Sequence, residues 1–104
     1  MTPFKSVRVG PFDISLTTLT GEERDKCLGM FSEHQMSIML RETFASDQQE
    51  AETLLHEVIH ACFAVAAIQD KDSHERTVSM LSTCMAQVIR DNPGLIDWLK
   101  EKLS

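Results

Sequence analysis

Two histidines and a glutamate carry the clearest chemical signal in the sequence, as the pattern His-Glu-x-x-His at residues 56–60. On a helix, residues four apart lie one turn apart on the same face, so the imidazoles of His56 and His60 can converge on one point. Such a pair suits a tetrahedral Zn²⁺, whose catalytic form takes three protein ligands and leaves the fourth position to water. Glu57 lies at the edge of that face, where its carboxylate can take a proton from the water without binding the metal. The spacing therefore predicts zinc ligands at His56 and His60 and a catalytic general base at Glu57.

The competing interpretation is an accidental match on a solvent-facing helix, because a pattern with three fixed positions also arises by chance. The residues between Leu54 and Cys62 are uncharged apart from the pattern itself. This composition predicts a largely buried helix, on which the two histidines are not free surface groups. Burying two imidazoles and a carboxylate without partners is costly, and a metal ion satisfies all three groups. The functional interpretation is therefore preferred.

Glu75 is the candidate for the third metal ligand. It falls in the first turn of the second predicted helix, which an antiparallel helix pair brings close to the C-terminal half of the first. Two alternatives remain open, since its neighbour His74 can face the metal instead, and residues 72–75 also form a capping-box pattern in which Glu75 reaches back to the N-cap amide. Cys62 is a poor candidate, because it lies two residues from His60 and points to nearly the opposite side of the helix.

The N-terminal part of the chain predicts β-strands. Residues 5–9 and 12–17 alternate between polar and apolar side chains on either side of the turn signal Gly10-Pro11, which indicates a hairpin. Residues 28–31 and 35–42 predict a second pair of strands around a polar turn.

From Ser46 onward the apolar residues recur with the period of a helix. Ser46 with Gln49, or Asp47 with Glu50, supplies the start of a first helix over residues 47–69. A second helix, with an apolar side formed by Val78, Leu81, Met85, Val88 and Ile89, is expected to run to Asp91. A short third helix follows with Asn92 as its N-cap and Pro93 in its first turn.

This order of elements predicts an α+β fold. We expect a small antiparallel sheet of three to four strands, followed by the metal-site helix, a second packed helix and a short C-terminal helix. With 104 residues, the chain is long enough for one compact domain over residues 1–104 and too short for two.

Charge and composition exclude several classes of function. Lys and Arg number 10 against 16 Asp and Glu, and the net charge of -6 argues against nucleic acid as a partner. The start MTPFKSVRVGPF has no apolar stretch of signal-peptide length, and no segment approaches a membrane span, so a cytoplasmic protein without a membrane partner is expected. The cysteines, Cys27, Cys62 and Cys84, are odd in number without a CxxC pair, and are interpreted as reduced thiols, with Cys62 and Cys84 acting as small buried hydrophobes.

Two segments resemble a known family of metal enzymes. TLLHEVIHAC at residues 53–62 resembles the extended signature of zincin metallopeptidases, in which uncharged residues flank HExxH. HERTV at residues 74–78 resembles the glutamate-bearing second helix of the gluzincin-like branch. Over roughly residues 28–93 the chain resembles the small HExxH proteins of phages and mobile elements, in which a short sheet precedes the metal helix.

The resemblance implies a zinc cofactor held by His56, His60 and Glu75, with Glu57 as the general base. The first hypothesis is therefore a zinc-dependent hydrolase, in the first place a peptidase using metal-activated water. Its substrate would be a peptide or a single partner protein, added to the sheet edge along residues 35–42.

The second hypothesis is a metal-stabilised interaction protein without catalysis. It would bind or inhibit a host or regulatory partner through the sheet edge or the helix of Trp98, with the acidic charge and an exposed aromatic side chain carrying the function. The sequence pattern itself favours Trp98 as a core or dimer-contact residue.

Overall fold

The computed structural model describes residues 2–104, apart from the side chains of Glu23 and Arg24. Over these residues the chain forms a β-sheet and three α-helices, which confirms the predicted α+β class. The strands are β1 (Ser6–Val9), β2 (Phe12–Thr18), β3 (Gly29–Ser32) and β4 (Ser37–Leu40), and the helices are α1 (Asp47–Val65), α2 (His74–Asp91) and α3 (Pro93–Leu103). None of the described helices combines the length and the apolar character needed to cross a bilayer.

The four strands form one mixed sheet in the order β1-β2-β4-β3. The two predicted hairpins are present and antiparallel, whereas β2 and β4 run parallel. The parallel pair arises because the chain passes from β2 to the far edge, forms β3 there and returns as β4 between them. The predicted peptide-binding edge at residues 35–42 is therefore wrong, because β4 has a strand on each side. The alternation of apolar residues indicates which face of a strand is buried, but not where the strand lies in the sheet.

Two side-chain amides, that of Gln87 on α2 and that of Asn92 just after its end, cover the outer edge of β1. The backbone N–H of Arg8 donates to Oδ1 of Asn92 at 2.7 Å, and Nδ2 of Asn92 donates to the Arg8 carbonyl at 2.8 Å. The N–H of Gly10 donates to Oε1 of Gln87 at 2.7 Å. These bonds satisfy backbone groups that an edge strand would otherwise present to another chain. The edge at β3 lies on the opposite side of the sheet, next to α1.

Helix α1 begins as predicted and ends four residues early. The Ser46 hydroxyl accepts a hydrogen bond from the Gln49 N–H at 3.0 Å, as an N-cap should. At the other end Ala67 has a positive φ of 55°, and the N–H groups of Ala67 and Ile68 donate to the carbonyls of Ala64 and Phe63. This is the Schellman arrangement that closes a helix, built here on alanine rather than the usual glycine.

The hydrophobic core joins the sheet to α1 and α3. Leu54, Val58 and Ala61 of α1 are 0% exposed and belong to the same buried cluster as Ile14 and Ile38 of the sheet. Helix α3 adds Leu95 and Trp98 to this cluster. Because α1 carries both the centre of the core and the His-Glu-x-x-His pattern, packing of the core fixes the orientation of the candidate site.

Trp98 and α2 correct two expectations about exposed apolar surface. Trp98 is 5% exposed and packs edge-on against Phe4, with ring centroids 5.9 Å apart. This burial confirms Trp98 as the core residue that the sequence pattern favoured, and it removes the exposed aromatic side chain that the interaction hypothesis needed. On α2, Val88 is buried, whereas Val78 and Ile89 are 47% and 53% exposed. The predicted apolar side of α2 is therefore only partly covered.

Candidate metal centre

His56 and His60 lie on the solvent-facing side of α1, one turn apart. Their Nε2 atoms are 3.2 Å from each other, and their rings are inclined at 72°. The prediction that both imidazoles are shielded from solvent is wrong, since both residues are exposed. The uncharged neighbours Leu54 and Val58 pack into the core on the other side of the same helix. An uncharged flank shows that a helix is partly buried, but not which side carries the histidines.

The separation of the two nitrogens tests whether the pair can hold a metal ion. Two ligand nitrogens at the usual Zn–N distance of about 2.0–2.1 Å, separated by a tetrahedral angle, lie about 3.3–3.4 Å apart. The observed 3.2 Å is close to this value, and neutral imidazole nitrogens are suitable donors. The same distance also permits a hydrogen bond between the rings, in which one Nε2–H donates to the lone pair of the other. The separation is therefore compatible with two zinc ligands and equally with a hydrogen bond between the two rings.

Glu57 differs from its histidine neighbours in burial. Its side chain is only 6% exposed, and within the described part of the chain its carboxylate has no hydrogen-bond or ion-pair partner. Glu50, two turns earlier on α1, is similarly buried with 8% of its surface exposed, but its carboxylate forms an ion pair with Lys102 Nζ at 3.2 Å. The Glu57 oxygens are not fully enclosed, because the fully buried side-chain nitrogen or oxygen without a partner among the described residues is Trp98 Nε1. Glu57 is thus held in a sheltered position with its oxygen lone pairs uncommitted.

A groove of about 630 Å³ runs beside these residues. Cys27, Leu28 and Gly29 form one wall at the start of β3, and the first turns of α1 form the other, from Ser46 to Glu57. His56 and Glu57 lie at the end of the groove, while Glu52 and Thr53 line it one turn earlier. Sequence reasoning missed this groove and Glu52, although the four-residue spacing from Glu52 to His56 was an available signal.

Gly29 allows β3 to approach α1 closely. A Cβ atom at this position would lie 2.9 Å from Thr53 Cγ2 and 3.2 Å from the Met39 carbonyl oxygen. We expect Gly29→Ala to lower the free energy of unfolding by about 1–3 kcal/mol, because the added methyl overpacks the strand–helix contact. Urea unfolding measures the loss.

Thr53→Ser provides the matched background for this test. It removes Cγ2 and keeps the hydroxyl, which donates to the Gln49 carbonyl at 2.7 Å. Gly29→Ala should therefore cost less in the Thr53→Ser protein than in the native one. An equal cost in both backgrounds would contradict the role assigned to Thr53 and point to the Leu40 side chain or the Met39 carbonyl, each 3.2 Å away, as the obstacle.

Glu75, the predicted third ligand, lies in the first turn of α2 and is exposed, as is His74. The N-cap of α2 is Ser73, whose hydroxyl accepts from the Arg76 N–H at 3.1 Å, so Glu75 does not occupy the capping-box position that its alternative interpretation required. The described residues contain no group of three or more His, Cys, Asp or Glu side chains arranged to hold a metal ion. The structure thus places His56, Glu57 and His60 together and does not add Glu75 to them, and its assignment as a ligand stays a prediction.

Cys62, the cysteine of α1, does not provide a thiolate for metal binding. Cys62 is 0% exposed and faces the core, where its Sγ lies 3.6 Å from the Met85 sulfur. Burial, together with the neighbouring Cys84 thiol, raises the pKa of Cys62 to about 12. Cys62 is therefore a protonated core residue at neutral pH, which confirms the expected role of a small hydrophobe. Cys84 is only half-buried.

Comparison of the chain with protein-family models, with curated proteins and with solved structures gives no match. The chemistry of the site and its surroundings therefore carries the functional argument.

Proposed function

We propose that this protein is a zinc-dependent hydrolase that cleaves peptide bonds, with Glu57 as its general base. The observation that carries the proposal is the 3.2 Å separation of the His56 and His60 Nε2 atoms, next to a sheltered carboxylate that has no partner among the described residues. A pair of helical histidines alone is common, whereas a pair at zinc-ligand spacing beside an uncommitted buried carboxylate matches the needs of metal-assisted hydrolysis.

Each residue of the site has a distinct part in this proposal. His56 and His60 would hold Zn²⁺ through Nε2, and Glu75 is carried forward as the proposed third ligand. Bound zinc would supply a Lewis acid that lowers the pKa of a water molecule and polarises a carbonyl group. Glu57 would accept the proton of the attacking water on its carboxylate and pass it to the leaving amine, a task for which its oxygens are uncommitted.

The edge of the sheet at β3 offers a place for the substrate backbone. β3 is paired with β4 on one side, and its start forms a wall of the groove that leads to His56 and Glu57. An extended peptide paired with this edge would gain main-chain hydrogen bonds beside the site. The corresponding edge at β1 is already covered by Gln87 and Asn92. This geometry supports a peptide or a single partner protein as substrate, positioned along β3.

Zinc content is the first test. We expect about one zinc per chain in native protein purified without chelators, and His60→Ala should weaken zinc affinity by more than about 100-fold, because loss of a ligand exceeds the 10–100-fold effect of losing an outer partner. Metal analysis and competition with a chromophoric chelator measure both quantities. His34→Ala is the matched control, since His34 is an exposed histidine in the turn between β3 and β4. Native protein without zinc under these conditions would overturn the proposal.

The same titration addresses the third ligand. A Glu75→Ala protein with reduced zinc affinity and unchanged unfolding free energy would assign the position to Glu75, whereas the same result for His74→Ala would assign it to His74. Unchanged affinity in both variants would mean that neither residue binds the metal.

A further inference from the structure

The charged side chains that line the groove beside the candidate metal centre are carboxylates. Two carboxylates, those of Glu52 and Glu57, line it, and none of the described residues that line it is a lysine or an arginine. Glu52 is exposed and has no hydrogen-bond or ion-pair partner among the described residues. The groove therefore presents uncompensated negative charge, on a chain whose net charge is already -6.

Glu57 supplies a second and independent observation that points to a ligand. Its side chain is 6% exposed and lines the groove, where its oxygens are not fully enclosed, and its carboxylate has no partner among the described residues. Most side chains that are buried to this degree have one. On the same helix, the buried carboxylate of Glu50 has the partner that such a group usually has, an ion pair with Lys102. None of the described residues that line the groove is such a cation, so a positive group from outside would meet uncompensated negative charge there.

We propose that the groove binds a lysine or arginine side chain of a peptide, and that Glu52 is the residue that selects it. The inference deepens the proposed function, on which it rests for its substrate, by naming the class of peptide. Leu28 offers apolar surface on the opposite wall, along which the methylene stem of a long basic side chain can lie while its charged end reaches the carboxylate.

The spacing along α1 sets the position of this basic residue relative to the bond that is cleaved. Glu52 precedes His56 by four residues, which is about 6 Å along a helix axis. An extended peptide advances about 3.3 Å per residue. A peptide whose central bond lies over the two histidines would therefore place its second residue from that bond beside Glu52. The selected substrates carry lysine or arginine about two positions from the cleaved bond.

Peptide binding tests this inference without any need for turnover. The probes are blocked alanine hexapeptides with lysine two residues to either side of the central bond, each compared with a norleucine counterpart that has the same stem and no charge. Titrations followed by amide resonances of the full-length protein, with and without zinc, give the dissociation constants. We expect the native protein to prefer lysine over norleucine by up to about fivefold at low salt, as a partly exposed ion pair allows. The preference should shrink in 0.5 M salt through screening.

Three variants connect the preference to Glu52. Glu52→Gln should abolish it, and Glu52→Lys should reverse it in favour of a glutamate-containing peptide. Glu101→Gln, which removes an exposed carboxylate from α3, should leave it unchanged. Equal binding of the lysine and norleucine peptides to native protein, an unchanged preference in Glu52→Gln, or no binding of any peptide would each overturn the inference.

The outcomes also separate this inference from the proposed hydrolase activity. Lysine-selective binding that depends on Glu52, without cleavage of any peptide, would support the groove ligand and count against the hydrolase. Cleavage without a preference for basic residues would support the hydrolase and refute the role of Glu52.

Discussion

Glu57→Gln is expected to retain zinc and to lose about 100-fold to 10,000-fold in the rate of peptide hydrolysis, the contribution typical of a positioned general base. Glutamine matches glutamate in size but its amide cannot take a proton from water. The histidines are unchanged by the substitution, so metal content should stay at the native level. The neutral amide should also be easier to bury than the unpaired carboxylate that is 6% exposed in the native protein.

Glu50→Gln is the matched control on the same helix. Glu50 is similarly buried, but its carboxylate is paired with Lys102 and does not line the groove beside the histidines. This variant should lower the free energy of unfolding through loss of the ion pair, while the rate per folded molecule stays native. Parallel loss of activity in both variants would indicate that any buried charge change disables the protein, and would remove support for a specific role of Glu57.

The same comparison separates catalysis from a purely structural metal site. If native protein contains zinc and Glu57→Gln leaves every measurable function unchanged, the second hypothesis is favoured, in which a metal-stabilised protein binds or inhibits a host or regulatory partner without chemistry. A rate that falls together with metal content would instead make Glu57 a determinant of metal binding. Measuring both quantities on one preparation distinguishes these outcomes.

Leu54→Ala is expected to lower the free energy of unfolding by about 2–5 kcal/mol, the usual cost of removing a leucine side chain from a packed core. Leu54 is 0% exposed, lies on α1 two residues before His56 and belongs to the cluster that joins this helix to the sheet. A domain of this size has a total stability of about 5–15 kcal/mol, so the substitution would remove a large fraction of it. The cavity would lie directly beneath the helix that carries the candidate site.

Urea unfolding of metal-free protein measures this loss without the added stability of bound zinc. Leu103→Ala is the control, because Leu103 is a leucine at the end of α3 that is 49% exposed. Its replacement should change stability by no more than about 0.5 kcal/mol. Equal losses in the two variants would contradict the assignment of α1 as the centre of the core.

The starts of the helices and the two hairpins followed from local patterns. Ser46 caps α1 through its own hydroxyl, and Pro93 opens α3 as predicted. Asn92 occupies the N-cap position of α3, but its side chain makes no capping hydrogen bond and binds Arg8 and Val88 instead. At the Gly10-Pro11 turn, Gly10 adopts a φ of 56°, which glycine tolerates without strain. These features depend on the conformations of a few neighbouring residues, so residue type and spacing were sufficient to predict them.

The end of α1 and the order of the strands could not be predicted from local sequence patterns. Ala67 takes the left-handed conformation at the helix terminus without being glycine, so the usual stop signal is missing from the sequence. The interior position of β4 depends on its pairing with β2. In this pairing Ser15 lies opposite Ser37, more than twenty residues later in the sequence. Such pairings are chosen by packing of the whole chain, and alternation within one strand does not encode them.

The sequence by itself determined that His56 and His60 face the same way, because a four-residue spacing on a helix brings two side chains together whatever surrounds them. Their 3.2 Å nitrogen separation expresses this local geometry. Only the tertiary structure decided that the histidines face solvent, while Glu57 is sheltered beside a groove with no partner in the part of the chain that the structure describes. The burial of a helical side chain depends on which strand packs against which side of the helix. Here the close approach of β3 to α1 at Gly29 forms the wall of the groove opposite Glu52.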